Sequence, residues 1–184
     1  MTIRKPTLIE AVQVAENDFV AVNMDRLEFP GGAHRTHLKV TPKNGNGVVV
    51  VVLNQDNQLY VHKAYHYAAD TIQTEFIRGF SDPNEADTES ALRELKEEIA
   101  AEYDVMEMPK KLGVLLPDST LLNSEVSAFL VKVKIKSMKA FQSDTEEALA
   151  MGEFVTQDEL RKRIAAGQIQ DGFTLAAFTL FSIQ

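Results

Sequence analysis

"RGFSDPNEADTESALRELKEEIAAE", Arg78 to Glu102, carries six glutamates. An apolar run precedes it and good helix formers fill its second half, with Asp87 or Thr88 in place as the cap. A helix is expected over "DTESALRELKEEIAAEY", Asp87 to Tyr103. At about 100° per residue, Leu92, Leu95 and Ile99 gather on one side as a core face. Glu94, Glu97 and Glu98 gather roughly opposite, and Arg93 lies within reach of Glu97 or Glu89. Carboxylates stacked at spacings of three and four repel, at a cost of a few tenths of a kcal/mol per pair. Such a row is commonly just a helix's solvated face. Around a hard divalent ion it becomes an oxygen cage of the kind magnesium takes.

The flanks read as sheet. Upstream, "VVVVVLN" (Val48–Asn54) is the continuous β-branched run of a strand buried on both faces, joined by "QDN" to "QLYVHKAYHY". "TIQTEFIRGF" reads as one further short strand ending at Gly79. Downstream, "KKLGVLLP" and "SEVSAFLVKVKIKS" are strands. In the second, Val131, Val133 and Ile135 alternate with three lysines, which gives one dry face and one wet. "TQDELRKRIAAGQIQ" opens on a capping signal and is stopped by Gly167, and "DGFTLAAFTLFSI" is a final apolar helix. This order predicts an α+β domain with helices packed on a mixed sheet. Residues 1–43, two hydrophobic stretches broken by "END" and "PGGAHRTH", read as a small antiparallel sheet. "PKNGNG" (Pro42–Gly47) marks the boundary to a main domain over 44–184. A small sheet alone is marginal, so it should pack on the rest or on a second copy of itself.

Composition narrows the function. A net charge of −8 argues against a grip on nucleic acid backbone and suggests that a cation mediates contact with any anionic substrate. The absence of Cys excludes disulfides, a thiolate metal site and a Cys nucleophile. No apolar run is long enough for a membrane span or a signal peptide, so a cytoplasmic protein is expected.

Gly79, Glu85, Arg93, Glu94, Leu95, Glu97 and Glu98 stand at the spacing of the Nudix box, G-x5-E-x7-R-E-U-x-E-E-x-G-U, with Ala101 in the last apolar slot and Ala100 in place of the second Gly. From about Gly47 onward the chain resembles a Nudix hydrolase. The resemblance implies an α/β/α sandwich that binds magnesium or manganese and directs water at the diphosphate of a nucleoside diphosphate derivative. By position, Glu94 and Glu98 are ligands and Glu97 a ligand or its neighbour. Arg93 orients the glutamates, and the backbone carbonyl of Arg78 faces the metal.

Within the family the chain resembles the pyrophosphatases of ADP-ribose and other nucleoside diphosphate sugars. Pro117 lies sixteen residues past the box, "EFIRG" (Glu75–Gly79) resembles that subgroup's lead-in, and Glu125 precedes a strand. The closing stretch resembles the subgroup's last helix, with Asp171 and Thr174 at its start, and the β-rich N-terminus resembles its dimer-forming piece. The resemblance implies AMP and a sugar phosphate as products, and a homodimer through the N-terminal sheet. It places His66, Arg78, Glu75, Pro117 and Glu125 on the substrate. It also puts the general base in "SDTEEAL" (Ser143–Leu149), where Glu146 and Glu147 are candidates with Asp144 behind them. Two departures bear on the substrate. The subgroup's Q-x-R is Ala64-Tyr65-His66 here, and Arg78 replaces a small residue, where it would contact phosphate or narrow the site. They leave GDP-mannose, ADP-glucose or another nucleotide sugar as alternatives, alongside a Nudix-fold module that binds a nucleotide without cleaving it. Tyr65, Tyr67 and Phe80 are available to stack on a base.

Overall fold

The structure, a computed structural model, describes residues 3–82, 84–138 and 149–184. Four strands, β1 (Thr7–Glu10), β2 (Gln13–Glu16), β3 (Val20–Glu28) and β4 (His34–Pro42), form the antiparallel N-terminal sheet. β4 pairs with β3 along its whole length, while β1 and β2 share the other edge of β3. β4 is thus nine residues long. It meets the rest of the chain at Val40, whose backbone N–H donates to Leu121 and whose carbonyl accepts from Asn123.

The main sheet is mixed. β5 (Gly47–Asn54) lies parallel to β11 (Val126–Met138) and antiparallel to β6 (Gln58–His66) and β8 (Ile77–Phe80). β7 (Thr71–Glu75) and β12 (Leu149–Thr156) flank β6, and β9 (Ala101–Val105) and β10 (Lys110–Leu115) pair with β11. Period-two alternation sends β5 into two cores. Val48, Val50 and Val52 pack with Ala91, Leu95 and Ile99 beneath α1 (Asp87–Glu98). Val49, Val51 and Leu53 pack with Ala177 and Phe178 of α3 (Gly172–Ser182) and Leu160 of α2 (Gln157–Ala165). The result is the expected α/β/α sandwich with a small antiparallel sheet attached. No helix among the described residues is long and apolar enough to cross a membrane.

Three local readings change. The helix ends at Glu98, and "AEYDV" is strand β9. Ala and Glu suit a helix by propensity, but the edge of β11 offers a hydrogen-bonded partner, and tertiary pairing overrides propensity. Neither Asp87 nor Thr88 caps α1: Ala86 holds the cap position, and its N–H donates to the Glu89 carboxylate (3.2 Å). "TIQTEFIRGF" is two strands, because the chain leaves β6 after Glu75 and joins β5 from Ile77.

Phe76, at that crossing, donates its backbone N–H to Thr174 Oγ1 (2.9 Å), and the hydroxyl donates onward to Asp171 (2.7 Å), the N-cap of α3. All three groups are buried or nearly so, so the strand switch is pinned from the opposite layer. Thr174→Val keeps the shape and orphans a buried N–H. Urea unfolding should show a loss of about 1–3 kcal/mol; unchanged stability would mean that the crossing is held by packing alone.

Candidate functional site

β8 delivers Arg78 and Gly79 to the edge of α1, and β6 and β7 deliver His66 and Glu75 beside them. Together with Tyr65, Phe80, Arg93, Glu94, Glu97, Glu98 and Phe173 they line a cavity of about 460 Å³, within the usual range for a small-molecule site. Pro117 lies outside it, in an adjoining depression that also includes Phe173. Glu125 lines a third depression, which shares Leu116 with the second. Tyr67 is exposed and away from the cavity. Asp144, Glu146 and Glu147 lie outside the described residues.

The glutamate face is not a solvated face. Glu94 is buried and the Glu98 side chain is 8% exposed, while Glu97 reaches solvent. Gly79 makes room for this: a Cβ there would land on the Glu94 carboxylate. Arg93 offsets part of the row's charge. Its Nη1 donates to Glu94 (2.7 Å) and Glu97 (3.1 Å), its Nη2 to the Phe80 carbonyl (2.7 Å) and Glu85 (3.1 Å), and its Nε to Glu85 (3.2 Å). Every guanidinium donor is thereby engaged. Glu89 takes no part, since it caps Ala86. Asn84, in the left-handed conformation at φ 69°, turns the loop so that Glu85 comes back onto the helix. Glu85 accepts from Arg93, the Asp82 backbone and Ser90 Oγ, and these donors pull its carboxyl from 4.5 down to about 2. Ala100 is free of strain in place of Gly, because the helix has already ended and Ala100 does not take a positive φ.

The facing wall is a second charged group. His66 Nε2 lies 2.6 Å from Glu75 Oε2, close enough to be its donor. Arg78 Nη2 sits 2.9 Å from the same nitrogen and 3.4 Å from the same carboxylate oxygen, with its guanidinium 4.8 Å above the Phe173 ring. Burial pushes the Glu75 carboxyl up, but His62, Arg78 and His66 together outweigh it and hold it below its usual range. His62 and Phe173 escaped the sequence reading. Tyr60, His62, Ala64 and His66 share one face of β6, so alternation from His66 would have found His62. Phe173 arrives from the far end of the chain with no local signal.

As donors, Glu94, Glu97 and Glu98 fit a hard divalent cation. As the side chains stand, no group of three His, Asp or Glu among the described residues is arranged to hold one. The reason is visible: Glu94 and Glu97 are turned to Arg93.

Residues 43–175 match the NUDIX domain family. The chain belongs to it. It is 29% identical over 113 residues to the ADP compounds hydrolase NudE of Escherichia coli (strain K12), a match that takes in 61% of this chain and only 60% of that protein. The solved "Crystal structure of ADP compounds hydrolase" shares the fold, with a TM-score of 0.79 at 20% identity, covering 100% of this chain and 95% of that one. Box, fold and family model agree on a NUDIX domain.

Glu85 carries a sign-definite pH signature. Its folded value is depressed, so its contribution is complete above about 4.5 and is lost as pH falls towards about 2. Over that window the thermal midpoint of the native protein should fall more steeply than that of Glu85→Gln; parallel curves would rule out the Glu85–Arg93 tether.

Proposed function

We propose that this Nudix hydrolase cleaves the diphosphate of an ADP-ribose-like nucleoside diphosphate sugar in the cytoplasm, with magnesium or manganese, giving a nucleoside monophosphate and a sugar phosphate. One observation carries this reading: a single cavity with a wall of three glutamates faced by Arg78 and His66. A diphosphate bridging those walls meets positive charge on one side and needs a cation on the other. The name of the Escherichia coli relative, an ADP compounds hydrolase, supports the adenosine half.

The residues divide the work by position. Glu94 and Glu98 hold the cation and Glu97 completes or steadies the set, with the Arg78 backbone carbonyl as a further oxygen. When bound, a hard divalent ion neutralises the diphosphate and acidifies a water. Arg93, fixed by Glu85 and the Phe80 carbonyl, orients Glu94 and Glu97. Arg78 and His66 bind the phosphate oxygens, with Glu75 holding both in place. Water forms a bond to one phosphorus as the bridging P–O bond breaks, and the sugar phosphate or nucleotide leaves. The water's proton passes to a carboxylate, for which Glu146 and Glu147 are the candidates. The moiety beyond the diphosphate extends over Phe173 towards Pro117 and on to Glu125, along depressions that share lining residues.

We assign the N-terminal segment 1–43 a separate role from 44–184: pairing with a second copy. Met24 and Leu38 are directly opposed on β3 and β4 and both exposed, Leu8 and Val14 are exposed on the same sheet, and Phe19 is exposed in the turn between β2 and β3. Light scattering should give twice the 20.5 kDa chain mass, and Met24→Glu with Leu38→Glu should halve it. A native mass of one chain would remove the dimer.

The activity is tested with a panel of nucleoside diphosphate sugars, with magnesium and with EDTA. ADP-ribose should yield AMP only with metal, and faster cleavage of GDP-mannose or ADP-glucose would move the substrate within the same chemistry. Glu98→Gln should lower turnover by about a hundredfold or more while the fold survives. Near-normal turnover in that variant would end the metal assignment.

A further inference from the structure

His62 is unused by the chemistry above, and its surroundings are unusual. It sits in mid-β6 opposite Glu75 of β7, with its side chain 3% exposed. Its Nε2 lies 3.6 Å from Glu75 Oε1 and its Nδ1 lies 3.6 Å from Glu98 Oε2. The Tyr60 ring closes the edge of the pocket at 6.3 Å. The imidazole therefore stands between two nearly buried carboxylates, one from the helix that carries the glutamate row and one from the wall that holds Arg78 and His66.

Packing alone does not explain this placement. The same face of β6 carries Tyr60 against α1 and Ala64 at the cavity, and His62 is the buried polar residue between them. Burying a carboxylate is costly unless a polar or charged partner accompanies it. Glu75 Oε2 already faces His66 and Arg78, and Glu75 Oε1 faces His62. Glu98 lines the cavity while its Oε2 is turned inward to the same ring. A side chain with a polar atom at each end of its ring is the shape that spans both.

We propose that His62 is a positioning residue. It holds the Glu98 carboxylate from its buried side and ties it, through Glu75, to His66 and Arg78, so that the cation-holding wall and the phosphate-holding wall form one connected unit. This rests on the reading of Glu98 as a metal ligand. Groups that orient a ligand from behind are typically worth about ten- to a hundredfold in metal affinity.

The test reads metal binding without substrate or turnover: Mn2+ affinity by electron paramagnetic resonance, with the thermal midpoint of each variant alongside. His62→Leu should weaken Mn2+ binding by about tenfold or more. His62→Gln, whose terminal amide keeps a polar hydrogen-bonding group of similar reach, should restore affinity to within about threefold of the native value. A role limited to stability would lower the midpoint and leave the Mn2+ affinity unchanged, and that result in folded His62→Leu overturns the proposal. Should His62→Leu not fold, His62→Asn serves in its place: too short to span both carboxylates, it should lose affinity as well, and native affinity there overturns the proposal equally. If Glu98→Gln leaves Mn2+ binding intact, the ligand reading falls and the His62 assignment with it. If Glu98→Gln abolishes binding and both His62 variants bind normally, the His62 assignment falls alone.

Discussion

Two of the three carboxylates in the row on α1, Glu94 and Glu97, are held by one guanidinium. Arg93 meets Glu85, Glu94, Glu97 and the Phe80 carbonyl with all of its donors, and so joins the helix, the loop before it and the end of β8. Without that charge the row would repel itself, and burying Glu94 beside Gly79 would carry an uncompensated desolvation cost. In this structure Glu94 and Glu97 both face Arg93.

The second constraint is where strands change partners. β5 is buried on both faces and supplies the platform for both helical layers. The crossing at Phe76, tied to Thr174, lets β7 present Glu75 towards β6 and β8 present Arg78 and Gly79 towards α1. Site and core are thus built by the same short stretch. The N-cap of α3 lies beside it, which brings Phe173 under the Arg78 guanidinium.

What was legible in the sequence follows from how local each signal is. The valine run of β5, the helix stop at Gly167 and the spacing of Glu94, Glu97 and Glu98 are local patterns, and the folded chain keeps all of them. The end of α1 was not legible, because "AEYDV" becomes strand only through the available edge of β11. The division of "TIQTEFIRGF" depends on two neighbours, β6 and β5, that no window of sequence contains. Arg93 was expected near Glu97 or Glu89, and the helical wheel gave the first correctly. The strong partner is Glu85, which a loop turned at Asn84 returns to the helix. His62 looked like one polar residue in a strand, since its two carboxylate neighbours lie 13 and 36 residues away in the chain.

The most direct measurement is anomalous diffraction from crystals soaked in Mn2+. The expected result is density between Glu94, Glu97 and Glu98, with Glu94 and Glu97 turned away from Arg93 onto the ion. An ion bound elsewhere, or carboxylates still clasped by Arg93 at saturating Mn2+, would contradict the claim that this helix is built to hold a metal.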